Sequence, residues 1–138
     1  MRFLASTALI VATGATAQVA PLSYEAGKSL PLSPGQWSYV QNATGSDARY
    51  GSLFSMRCDR ATRNIVVQRI GGAPAALTIA TSSVSRTLPI GGRIAASDPL
   101  LDAIAFSRGR FLVAGGAGPV LAVPSWPEAA RSIEDCRN

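Results

Sequence analysis

Only two cysteines occur in this 138-residue chain, Cys58 and Cys136, and whether they bond decides which folds are open to it. A bond across their sequence separation of 78 would tie "SIEDCRN" back to the segment "LFSMRCDRATRN". Such bonds persist in oxidising compartments and are rare in the cytosol. The compartment is therefore the first thing to read.

It is written in "MRFLASTALIVATGATAQVA", which starts positively at Arg2, runs apolar from Phe3 to Ala12, and leaves through the small residues Ala15-Thr16-Ala17. This is the pattern of a secretory signal peptide over residues 1–17, with cleavage before Gln18. A membrane-spanning helix needs roughly 20 apolar residues, about twice what is present. Removing residues 1–17 from 138 leaves 121, enough for one domain with a real core. An exported chain with an even cysteine count is then expected to carry a Cys58–Cys136 disulfide, in the periplasm or outside the cell. No C-x-x-C motif points to redox activity instead.

Residues 18–35, "QVAPLSYEAGKSLPLSPG", hold three prolines and two glycines without periodicity, and read as an extended N-terminal arm. Residues 36–138 read as a single β-rich domain. "WSYV" is followed by a turn, "QNATGSD". "RYGSLFSMRC" then alternates, placing Tyr50, Phe54, Met56 and Cys58 on one face of a single strand. "NIVVQRI" and "ALTIAT" are further strands, and "RTLPI" and "GRIAA" flank a Gly-Gly turn. About six strands are expected up to residue 97, each needing another layer to be stable.

After that the pattern becomes helical. Asp98 is a good N-cap with Pro99 behind it, and Leu100, Leu101, Ile104 and Phe106 supply an apolar stripe that Gly109 ends. "RFLVA" and "PVLAV" form a hairpin around a glycine-rich turn. Ser125 and Glu128 have capping-box spacing, and Ala129, Ile133 and Cys136 recur on one side of a last helix. The expected fold is thus mainly β, an antiparallel sandwich or barrel with two short helices. The C-terminal helix should be tethered to the sheet by the disulfide.

What the chain lacks narrows its chemistry. With no histidine, Ser-His-Asp and Cys-His catalysis and most zinc sites fall away. A Ser–Lys dyad would depend on Lys28, in the arm. Carboxylate pairs remain: Asp98 with Asp102, and Glu128 with Glu134 or Asp135. Each is explained more simply as a helix cap or a solvated helix face. No catalytic residue, metal ligand or cofactor site is therefore assigned. Trp37 and Trp126 suit packing better than ligand stacking. The sequon at Asn42 is expected to stay bare, because the alanine- and arginine-rich composition looks bacterial. The Gly-Gly pairs at 71–72, 91–92 and 115–116 read as turns.

Charge offers one positive lead. Lysine and arginine total 13 against 8 acids, all but one of the 13 being arginine. The closest gathering is Arg57, Arg60 and Arg63 around "RCDRATR", with Asp59 in its midst. A turn that brought the three together would offer guanidinium forks to carboxylate or phosphate. The partner expected there is an anionic envelope polymer, or else another envelope protein; nucleic acid is not expected.

The order "WSYV", "LFSMRC", "NIVVQRI", "TIAT" and then "DPLLDAIAFSRGRFLV" to "VLAVPSWPEAARSIEDC" covers roughly residues 36–137. It resembles small exported proteins of alphaproteobacteria without an assigned activity, and more distantly the invasion-associated locus B family of periplasmic β-proteins. The resemblance rests on element order and cysteine placement, with no catalytic motif. It implies an envelope-associated or host-facing, non-enzymatic role. The expectation is a periplasmic or secreted binding or structural module. The alternative is an envelope enzyme or enzyme inhibitor working through a carboxylate and arginine site.

Overall fold

The computed structural model describes residues 9–12, 14 and 22–138. The signal-peptide reading falls largely outside the described residues. Among the described residues, nine strands form two antiparallel sheets. The first is built from β1 (Trp37–Asn42), β2 (Gly45–Tyr50), β3 (Phe54–Asp59), β4 (Asn64–Arg69) and β7 (Arg93–Ala95), in that spatial order. The second runs β6 (Ser85–Leu88), β5 (Leu77–Ala80), β8 (Arg110–Ala114), β9 (Leu121–Pro124). "RTLPI" and "GRIAA" thus lie in different sheets, and the chain crosses from one to the other at Gly91-Gly92.

The stretch "RYGSLFSMRC" is two strands. Gly51, with φ of +54°, turns the chain so that Tyr50 faces Phe54 across the β2–β3 hairpin. The inward alternation still holds within β3, where Phe54, Met56 and Cys58 are all buried. The hairpin between β1 and β2 is shorter than the sequence suggests, because Asn42 makes its own turn. Its side-chain oxygen accepts from Thr44 N and Gly45 N at 2.9 and 2.8 Å.

One apolar core joins both sheets. Tyr50, Phe54, Met56, Ile65 and Val67 of the first meet Leu77, Ile79, Phe111, Val113 and Val123 of the second. Rings link across it: Trp37 lies edge-on to Phe54 at 6.4 Å, and Phe54 to Phe111 at 5.5 Å. The Trp37 indole N–H donates to Pro124 O at 2.7 Å, so this tryptophan binds sheet to sheet. Two separate sheets over a shared core settle the sandwich-or-barrel choice toward a sandwich.

Helices close the rest. α2 (Pro99–Ala105) begins as expected, with Asp98 accepting from Leu100 N at 2.8 Å, and buries Leu100, Leu101 and Ile104. Phe106 does not join that stripe: it lies just past the helix and is 81% exposed. α3 (Pro127–Arg137) lays Ala129, Ser132, Ile133 and Cys136 against the first sheet. Cys136 is bonded to Cys58 on β3, with Cα atoms 5.5 Å apart. The capping box does not form. Trp126 occupies the N-cap with no side-chain bond, while Ser125 N is held by Gly109 O, one residue too early to cap.

A further short helix, α1 (Tyr24–Gly27), falls in the stretch expected to be an extended arm. From Leu22 to Ser33 the chain crosses the outer face of the second sheet. Gly27 sits on Leu112 so closely that a Cβ there would come within 2.1 Å of it. Ser33 N donates to Ala122 O at 2.9 Å, and Tyr50 OH donates to Ser33 O at 2.6 Å. This cover explains why Ala80, Leu112 and Ala122, pointing away from the main core, are buried with Leu22 packed on them.

Candidate functional site

The disulfide end of the sandwich carries the arginines singled out by sequence. Arg57 is on the solvent face of the first sheet, opposite Asp47 on β2 and Val66 on β4. Arg60 reaches back over the β1 end, 3.5 Å from Asn42 O. Arg63 adopts a left-handed φ of +50°, gives its carbonyl to Ala96 N at 2.9 Å, and borders an open hollow of about 530 Å³ beside Asp102 and Arg137. The turn therefore fans the three apart, and they share no ion-pair partner among the described residues. Asp59 caps the turn, accepting from Ala61 N at 3.2 Å, and stands 3.7 Å from Arg93 rather than pairing with the trio. A hydrogen bond from Thr62 holds its carboxyl below the usual range, against the opposing effect of burial.

Asp98 and Asp102 are taken up by different arginines. Asp98 takes a two-pronged pair from Arg86, at 2.9 and 2.6 Å, on top of its capping role. That arginine, helped by Leu100 N, keeps the Asp98 carboxyl low although burial opposes it. Asp102 holds Arg137 at 2.8 Å. Glu128 has a buried carboxylate oxygen, and Ser125 a buried hydroxyl, neither with a hydrogen-bond partner among the described residues.

Asp135 anchors a polar seam between α3 and β1. Burial works against its ionised form. Bonds from Tyr39, Ser46 and Gln41 and the charge of Arg60 outweigh that, leaving its pKa below the ordinary value. The Tyr39 phenol moves up, through burial first and then its bond to Asp135. Arg131 sits 4.4 Å above the Tyr39 ring, a cation–π contact that closes the seam.

The opposite end of the sandwich holds a feature that sequence spacing does not show. The turn after β4, the turn before β7 and the turn between β8 and β9 each contain a Gly-Gly pair, and all three border one cleft of about 280 Å³. Hydrogen bonds draw them together. Val67 N donates to Gly92 O at 2.8 Å, and Arg69 donates to Gly115 O and Pro119 O at 3.0 and 2.7 Å. Gly92 and Gly115 are irreplaceable on contact grounds alone: a Cβ would stand 1.9 Å from Val67 O and 2.2 Å from Ala76 O.

Three polar side chains enter the cleft from the sheet. Arg49, Ser55 and Gln68 are neighbours on adjacent strands, because the register pairs Arg49 with Ser55 and Ser55 with Gln68. The Arg49 Nε donates to Asp47 at 2.6 Å. Ser55 is only 5% exposed and borders the cleft. Arg49, Ser55 and Gln68 were not candidates by sequence, since only the strand register makes them adjacent. Of the tryptophans, Trp37 is core, while Trp126 is 48% exposed at the start of α3.

Among the described residues, no group of three or more potential ligands is placed to hold a metal ion, and no helix is long and apolar enough to cross a membrane. No protein family, curated protein or solved structure matches the chain.

Proposed function

We propose that this chain is a non-enzymatic binding module of the bacterial envelope, working in the periplasm or outside the cell. The observation that carries the reading is the Cys58–Cys136 bond, which joins α3 to β3 and belongs to an oxidising compartment. The amino-terminal signal pattern supports the same compartment. The partner is an anionic envelope polymer, met by Arg57, Arg60 and Arg63. These three guanidinium groups enter no ion pair among the described residues, while most of the carboxylates are already engaged. Because they are spread over one end of the sandwich, they suit a repeating polyanion better than a single bound group.

The test is retention of the disulfide-bonded protein on anionic cell-wall polymer. Retention should be strong at low salt, fall as the Debye length shortens toward about 8 Å, and drop sharply for the Arg60→Ala, Arg63→Ala double variant. Equal retention of the variant and the parent at low salt would remove the arginines from the reading. Recovery of the native protein from the cytoplasm with reduced cysteines would remove the compartment.

A further inference from the structure

We infer that the cleft framed by the three Gly-Gly turns binds the carboxylate end of an acylated, small-residue peptide. The inference concerns the end of the sandwich away from the arginine turn, and does not rest on the polyanion reading.

Charge comes first. Arg49 and Arg69 border the cleft and no Asp or Glu does, so an anion is favoured there. Arg69 spends two of its nitrogens on the carbonyls of Gly115 and Pro119. Arg49 spends only Nε on Asp47, which leaves its two terminal nitrogens as a fork suited to the two oxygens of a carboxylate. Asp47 thus sets the orientation of the fork without occupying it.

Ser55 supplies the second observation. The residue is only 5% exposed overall and borders the cleft, so its hydroxyl is a fixed group that can both donate to and accept from a bound chain. With Gln68 beside it, the floor offers groups that both donate and accept, as the amide next to a terminal carboxylate requires. The walls agree: bare glycine backbone allows a main chain to approach, and a space of about 280 Å³ admits only small side chains beside it.

The same lining excludes neighbouring ligand classes. A free amino acid or peptide amine would bring an ammonium group to a cleft lined by two arginines, with Asp47 outside the lining and paired to Arg49. A sugar or nucleobase would find no aromatic face in the lining. At about 280 Å³ the space is at or below the small end of ligand sites, which suits a chain terminus rather than a whole metabolite.

The experiment is an amide chemical-shift titration of the folded, disulfide-bonded protein with four probes: acetyl-Ala-Ala, its C-terminal amide, unacylated Ala-Ala and inorganic phosphate. Acetyl-Ala-Ala should produce saturable shifts at Gly71, Gly72, Gly91 and Gly92, and the other three should bind at least about tenfold more weakly, the factor expected for one charge-assisted bond. Arg49→Gln should weaken acetyl-Ala-Ala by about the same factor. Ser55→Ala should weaken it about threefold, and carries the test if the Arg49 variant loses its native spectrum. Absence of saturable shifts, equal binding of the amidated peptide, or tighter binding of phosphate would each overturn the assignment.

Discussion

Changing Cys136 to serine removes the covalent link between α3 and β3, and most of the cost lies in the unfolded chain. While the bond exists, every unfolded conformation must keep residues 58 and 136 together. Releasing a closed span of 78 residues is worth about 4.5 kcal/mol by loop-closure entropy. The native side changes less. Asn64 O lies 3.3 Å from the Cys136 sulfur, within reach of a serine hydroxyl, and Ala129 and Ile133 still seat the helix. We therefore expect a loss of about 3–4.5 kcal/mol with α3 still docked, read from urea unfolding at neutral pH. The urea m-value should rise, because the uncrosslinked unfolded chain exposes more surface. Two results would refute this reasoning. A loss below about 1 kcal/mol with an unchanged m-value would mean the bond does not restrain the unfolded state. A weakened helical signal before unfolding would place the effect in the native state instead.

Two further outcomes follow from features of the turns and caps. Gly92→Ala should destabilise far more than Gly91→Ala: the first adds a Cβ 1.9 Å from Val67 O, whereas the second meets nothing within 4 Å and carries only the cost of positive φ, about 1–2 kcal/mol. Paired thermal melts check this, and equal losses would show that the Gly91-Gly92 turn relaxes away from β4. Asp98 and Asp135 have folded pKa values below ordinary, so their contribution is complete above the unfolded value of about 3.9 and disappears as pH falls through the lower folded values. Urea midpoints should hold from about pH 7 to 4 and then fall, and Asp98→Asn, which keeps a cap but loses the charge pair with Arg86, should flatten that fall.

Much of the fold was legible where local pattern and tertiary environment agree. Alternation in "FSMRC" placed Cys58 inward, and four- and three-residue spacing did the same for Cys136, so the bond between strand and helix could be anticipated. Local reading failed where a partner elsewhere decides. Tyr50 and Phe54 fit one alternating strand as well as two facing strands, and only the turn at Gly51 distinguishes them. Ser125 has capping spacing, yet its backbone is held by Gly109 from another element. The segment around α1 carries little apolar pattern because it covers a face with small contacts, Gly27 on Leu112 and Ser33 on Ala122. The arginines of "RCDRATR" are neighbours in sequence and diverge in space. Arg49, Ser55 and Gln68 are distant in sequence, and pairing makes them adjacent. Charge clustering along a chain is a poor guide wherever a turn intervenes.

The position of α3 also sets a schedule for the chain as it is made. β1 to β3 emerge first, and the inward surface they present around Ser46, Met56 and Cys58 is what α3 later covers. Tyr39 waits for a carboxylate 96 residues further along, and Trp37 for a carbonyl 87 residues further along. No early segment of the polypeptide can complete a core by itself. The bond between Cys58 and Cys136 can form only once the last helix has been made, so covalent closure of the fold is the final event that the order of the chain allows.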